Sequence, residues 1–335
     1  MMEVQRVVAV DWSGDRSAAG QRRKLWAGVW TKDPTHATPP SKGRSSGTPD
    51  GDKTALNGAP RVGRVFGGSV TLEGGRTREE LREWLIAAAR ETPRMVVGVD
   101  FCFSYPAWFV AEHGARSGPE FWRIVAEHGE RWLARECAEA RFWGRVGPHR
   151  TGKKPVEFCG AAGALRMLRR ADEACKVRAR IIDPEQAAKV KGIAPKSPFQ
   201  IGGAGAVGTG TLRGIPELER LHDAGFRVWP FEEPALRAQR GRPLVVEIYP
   251  RLLTGEVHKG NAQARKEYLA RKRRKDAAYV ALPREAIEKA RGSEDAFDAL
   301  VSVMAMVERR ESFLALRKTR DRVTLLEGAV WGAKV

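Results

Sequence analysis

Three short apolar runs in this chain end on an acid: Val7-Val8-Ala9-Val10-Asp11, Val96-Val97-Gly98-Val99-Asp100 and Leu244-Val245-Val246-Glu247. They are brief, rich in β-branched residues and followed by turn-forming sequence, the pattern of strands buried on both faces. Strands of that kind belong to a sheet covered by helices on each side. A carboxylate at the end of such a strand loses hydration, so something must compensate its charge. Ligands gather at the carboxyl ends of strands in open sheets. A hard divalent cation, Mg²⁺ or Mn²⁺, is the natural compensation for several carboxylates there.

The remaining elements fit an α/β domain built on a mixed five-stranded sheet. Arg6–Asp11, Leu25–Trp30 and Val65–Leu72 read as an antiparallel meander, with Met95–Asp100 and Leu244–Tyr249 as the fourth and fifth strands. Thr77-Arg78-Glu79-Glu80 is a capping box that opens a helix to about Arg90. Residues 31–61 hold 17 Pro, Gly, Ser or Thr in 31 positions, a composition expected to form a flexible hairpin insertion. The core is expected from 5–106 and 241–310 of a single domain, with 107–240 as a basic helical and loop insertion. Within it, a helix is expected from Ser117 to about Ala140, basic helical material over 160–180 and a Gly/Pro-rich loop over 192–216. Ten of the 26 aromatic residues fall in 101–145; at helical spacing most of them read as core, with base stacking by Trp108, Trp122 or Trp143 as the alternative.

A last helix, expected from Ser293 to about Arg309, is apolar nearly all round and therefore buried. It carries Asp295 and Asp298 at i, i+3, on one face. Ala299, Ser302 and Ala305 on that side are small enough to let it approach a sheet. The helix dipole alone accounts for an acid at Asp295 in the first turn, but less well for Asp298 a turn deeper. Asp11 has a structural alternative too, as a turn residue at Trp12-Ser13-Gly14.

Charge points to a partner. The chain has 59 Lys and Arg against 41 acids, a net charge of +18. Two windows, 141–180 and 256–275, hold most of the excess, whereas a solvated basic face would need no such clustering. Lys153 and Lys154 in the first window, and Arg271, Lys272, Arg273, Arg274 and Lys275 in the second, are candidates to contact the phosphates of DNA or RNA. Gly203-x-Gly205-x-x-Gly208 lacks the strand–helix context of a dinucleotide fingerprint and reads either as a backbone-amide loop touching phosphates or as a structural loop. The four cysteines form no C-x-x-C pair and read as reduced thiols. No apolar run approaches the roughly 18 residues of a membrane span, and the N-terminus has no signal-peptide pattern, so a cytoplasmic location is expected.

Taken together, V-A-V-D-W-S-G, V-G-V-D-F-C-F-S-Y-P, S-P-F-Q-I-G-G-A-G-A-V-G-T-G, V-E-I-Y-P and E-D-A-F-D-A-L resemble the domain-of-unknown-function 429 family, whose members are regarded as predicted ribonuclease-H-like nucleases. The resemblance spans about 6–110 and 195–305. It implies a ribonuclease-H-like fold, with Asp11 and Asp100 as strand-end metal ligands and Asp295 and Asp298 as late-helix ligands. Glu247 would ligate the metal or support its ligands. The expected activity is hydrolysis of nucleic-acid phosphodiesters, with carboxylates holding two ions roughly 3.5–4 Å apart. Two rivals are a catalytically silent nucleic-acid binder and an actin-like ATPase or sugar kinase. The latter needs two such cores, for which the chain is short.

Overall fold

The computed structural model describes residues 3–33, 65–134, 142–144, 147–148, 167–181, 195–203, 206–255 and 257–333. The main sheet has six strands: β1 (Arg6–Asp11), β2 (Trp26–Lys32), β3 (Gly68–Glu73), β4 (Met95–Val99), β7 (Arg227–Val228) and β8 (Leu244–Glu247), in the order β3-β2-β1-β4-β8-β7. β5 (Trp143–Gly144) and β6 (Gly147–Pro148) form a separate two-residue hairpin. β1, β2 and β3 are the expected antiparallel meander. β4, β8 and β7 then add in parallel on the other side of β1. β4 and β8 are buried along their whole length, which explains their unbroken apolar sequence.

Helices cover both faces. α1 (Ala18–Lys24) is a short element after β1. On one face lie α2 (Arg78–Glu91), α4 (Gly118–Trp132) and α6 (Val207–Asp223), with α3 (Ala107–Glu112) beside them. Their core joins Leu81, Leu85, Phe121, Val125, Leu212 and Ile215 to Val8, Val10 and Val97 of the sheet. α5 (Arg170–Ile181) precedes α6. The other face is covered by α7 (Pro250–Thr254), α8 (Ala262–Lys275), α9 (Ala277–Val280), α10 (Arg284–Gly292) and α11 (Glu294–Glu308), followed by α12 (Arg322–Glu327). Thr77 forms the expected capping box, accepting from the Glu80 amide while the Glu80 carboxylate accepts from the Thr77 amide. α11 lies against β1 and β2, and its small residues do bring it close: a Cβ on Gly28 would meet the carbonyl of Ala299 at 2.5 Å.

Three expectations require correction. The sheet has a sixth strand, β7, which Arg227-Val228-Trp229-Pro230 concealed by being two residues long and followed by proline. The section 107–240 is not separate from the sheet domain in its described part, because α4 and α6 share one core with the sheet and β7 is one of its edges. The glycine-rich loop over 192–216 gives way to α6 from Val207 onward, with Pro216 inside the helix. Helix propensity argues against this stretch, but its glycines serve packing: a Cβ on Gly14 would lie 2.6 Å from the Gly210 amide nitrogen, so the loop after β1 rests directly on α6. Residues 34–61, which contain nearly all of the expected hairpin insertion, lie outside the described residues.

Candidate functional site

β1 and β4 run in parallel with Val10 opposite Val99, and the Asp100 amide donates to the Val10 carbonyl at 3.2 Å. The next residues, Asp11 and Asp100, therefore emerge side by side at the carboxyl edge, on strands about 4.8 Å apart. α11 supplies Asp298, which is 1% exposed, from the helix that crosses these strands. Its N-cap Ser293 accepts from the Ala296 amide, which sets the start of the helix and hence the acid's position. Asp295 is half-buried in the first turn.

The acids raise one another's pKa. Burial, followed by the charges of Asp298 and Asp100, holds Asp11 well above the usual carboxylate range. Burial lifts Asp100 to about 7, with Lys259 pulling against the added charges of Asp298 and Glu247. Asp295 and Asp298 are raised as well, each mainly by burial. Lys259 is the cation among them: its ammonium donates to Asp298 and lies 3.4 Å from Glu294. Burial lowers its affinity for a proton, but Asp298, Asp11 and Asp100 more than offset this. One ammonium cannot balance three carboxylates, of which Asp11 and Asp298 are buried and Asp100 half-buried. The Oδ1 atom of Asp298 is buried without a hydrogen-bond partner. An all-oxygen donor set is the chemistry a hard divalent ion prefers, although these carboxylate oxygens do not all lie within 4.8 Å of one another.

Glu247 has a different neighbour. Its carboxylate accepts from Arg169 at 2.5 and 2.9 Å and from the Phe103 amide at 2.9 Å. The same guanidinium donates to Asp172 at 2.7 Å and to the Glu327 carbonyl at 3.1 Å. Glu247 lies within electrostatic reach of Asp100, yet its oxygens are taken by Arg169 and the backbone. Among the described residues, the acids and thiols whose ligand atoms come within 4.8 Å of one another are Cys102, Asp172 and Glu247. No three of the expected ligands Asp11, Asp100, Glu247, Asp295 and Asp298 pack that tightly. The tighter group already holds a cation in Arg169, and burial pushes the Cys102 thiol well up, so it is not a thiolate.

Arg271, Arg273, Arg274 and Lys275 are exposed at the end of α8, the last two arginines and Lys275 in its final turn, a position that also suits the helix dipole. Lys272 is half-buried, its ammonium over the rings of Tyr268 and Tyr279 at 5.9 and 5.5 Å. The helix begins just after Lys259 and carries the run about 15–20 Å along its axis. Lys153 and Lys154 lie outside the described residues. The aromatics of 101–145 are mostly core, as expected: Trp122 is 1% exposed and its indole donates to the Phe103 carbonyl, so it offers no stacking face.

Sequence reasoning missed Lys259 and Arg169 as local counter-ions. Each was counted within a basic window, and only the distance in space to particular acids separates a counter-ion from a surface charge. Among the described residues, no helix is long and apolar enough to cross a membrane. Comparison with protein families, with curated proteins and with solved structures yields no match to this chain.

Proposed function

We propose that the chain is a Mg²⁺- or Mn²⁺-dependent phosphodiesterase of the ribonuclease-H-like class, acting on nucleic acid. The observation that carries this reading is that Asp11, Asp100 and Asp298 lie within electrostatic reach of one another at the carboxyl edge of the sheet, with Lys259 as the cation they share. The strand order, with an antiparallel β1–β2–β3 meander followed by parallel β4 and β8, supports the same class, as does the family resemblance of the motifs. Asp11, Asp100 and Asp298 would hold the ion, with Asp295 beside them. A divalent ion in such a site activates water and stabilises the charge that develops on the leaving oxygen.

The chain's own groups prepare that chemistry. The sheet and α11 fix the three carboxylates on different elements, so their positions do not depend on a flexible loop. Lys259, paired with Asp298 and Glu294, offsets part of the charge of the metal-free cluster. The basic end of α8 supplies attraction for a phosphate backbone without reading its sequence. Incubating the protein with labelled DNA and RNA single strands, duplexes and junctions in Mg²⁺, Mn²⁺ or EDTA tests the proposal: cleavage only with a divalent ion is expected, and none on any substrate would remove the hydrolytic reading.

Two further results are expected. Asp100 ordinarily titrates near 3.8 but holds its proton to about 7 in the fold. Between those values the folded state binds the extra proton, so the contribution of Asp100 to metal-free stability falls as pH rises. Urea unfolding in EDTA at pH 5.5 and pH 8 should show this loss reduced in Asp100→Asn, and the affinity for Mn²⁺ should rise through the same window because a proton must leave. An identical pH dependence in the variant would show that Asp100 is not the group responsible. Separately, replacing Arg273, Arg274 and Lys275 by Gln should flatten the log–log salt dependence of nucleic-acid binding by roughly 2 to 3 units. An unchanged slope would make the run a solvated helix end.

A further inference from the structure

A cleft of about 750 Å³ opens at the carboxyl ends of β4 and β8, sharing Asp100, Lys259 and Glu294 with the acid cluster. Val207, Ile248, Tyr249 and Val257 give its lining apolar surface and one aromatic ring, and Lys196 and His258 are exposed residues of the same lining. The acids Asp172 and Glu247 also border it, but both bond the buried Arg169 guanidinium, which offsets one of their two charges, and Lys196, Arg251 and Lys259 line the same cleft. Its volume suits a single small organic ligand and is far too small for a duplex.

We infer that this cleft is a subsite for one unstacked nucleotide, with the base against Val207 and Tyr249 and the phosphate toward Lys196 and Asp100. This deepens the nuclease reading: the substrate would present a free end or an extruded nucleotide rather than an intact duplex. The chemistry is complementary at both ends. A base gains from leaving water for an apolar surface with an aromatic face. A phosphate needs cations, which the lining supplies, and the adjoining carboxylates then face the phosphodiester rather than the base.

The test uses nucleoside 5′-monophosphates and calorimetry in EDTA, so it is independent of metal binding and of cleavage. A monophosphate is expected to bind at least tenfold more tightly than inorganic phosphate, ribose 5-phosphate or the free nucleoside, because only it engages both ends. Val207→Trp fills the cleft from the half-buried start of α6 and should abolish that binding while leaving Mn²⁺ binding intact. Should this variant fail to fold, Lys196→Glu, at an exposed position, should weaken monophosphate binding tenfold or more. Equal affinity for ribose 5-phosphate, or binding unaltered in the folded Val207→Trp or in Lys196→Glu, would overturn the inference. Monophosphate binding with the expected losses, in a protein that cleaves nothing, would keep the subsite and refute the nuclease alone.

Discussion

Arg169→Ala is expected to destabilise the fold by about 3–5 kcal/mol, the cost of leaving buried charges without their partner. Arg169 is fully buried and bonds Asp172, Glu247 and the Glu327 carbonyl, and so links α5, β8 and the end of α12. Burial alone would lower its pKa, but Asp172 and Glu247 hold it above its ordinary value, so the guanidinium stays charged. Without it, Glu247 faces only the Phe103 amide, and both carboxyls must take up protons. Urea unfolding of Arg169→Ala beside the triple variant Arg169→Met, Asp172→Asn, Glu247→Gln separates charge from packing. The triple variant should recover much of the loss, because no buried ion is left unpaired. A single variant within about 1 kcal/mol of wild type would mean that Arg169 is incidental to the fold.

Asp11→Asn is expected to have the largest effect on function and the opposite effect on stability. Removing a carboxylate that holds the ion should weaken Mn²⁺ binding and cut cleavage by at least about 100-fold. The metal-free variant should be as stable as wild type or more so, because one of several mutually repelling, desolvated acids is gone. A structural Asp11 predicts the reverse. Replacement would then lower stability, and divalent ions would leave the melting temperature of wild type unchanged. Thermal unfolding in EDTA and in Mn²⁺ separates these outcomes.

The sheet was legible because buried parallel strands leave unbroken apolar runs, and β1, β4 and β8 each have one. The late helix was legible for a similar reason: Glu294–Glu308 is apolar nearly all round, so Asp298, in its middle, had to be buried. β7 was not, because two residues before a proline leave no period to read. Nor was α6, whose glycines carry the signature of a loop but serve a helix that touches Gly14 and Phe101. At the site, the sequence placed acids at strand ends but could not say which cation each one meets. Asp298 meets Lys259 and Glu247 meets Arg169, across 39 and 78 positions of chain. Such pairings have no local pattern, since they depend on where the fold brings distant segments together.

Whether Asp11, Asp100 and Asp298 together take a divalent ion decides the function of the site. Calorimetric titration of Mn²⁺ into wild type and Asp298→Asn at pH 8 measures this directly. The prediction is saturable binding to wild type that weakens by about 10- to 100-fold in the variant, with a matching loss of the Mn²⁺-dependent rise in melting temperature. No binding to wild type, or equal affinity in both proteins, would show that Lys259 is the only cation this cluster holds and would contradict the account.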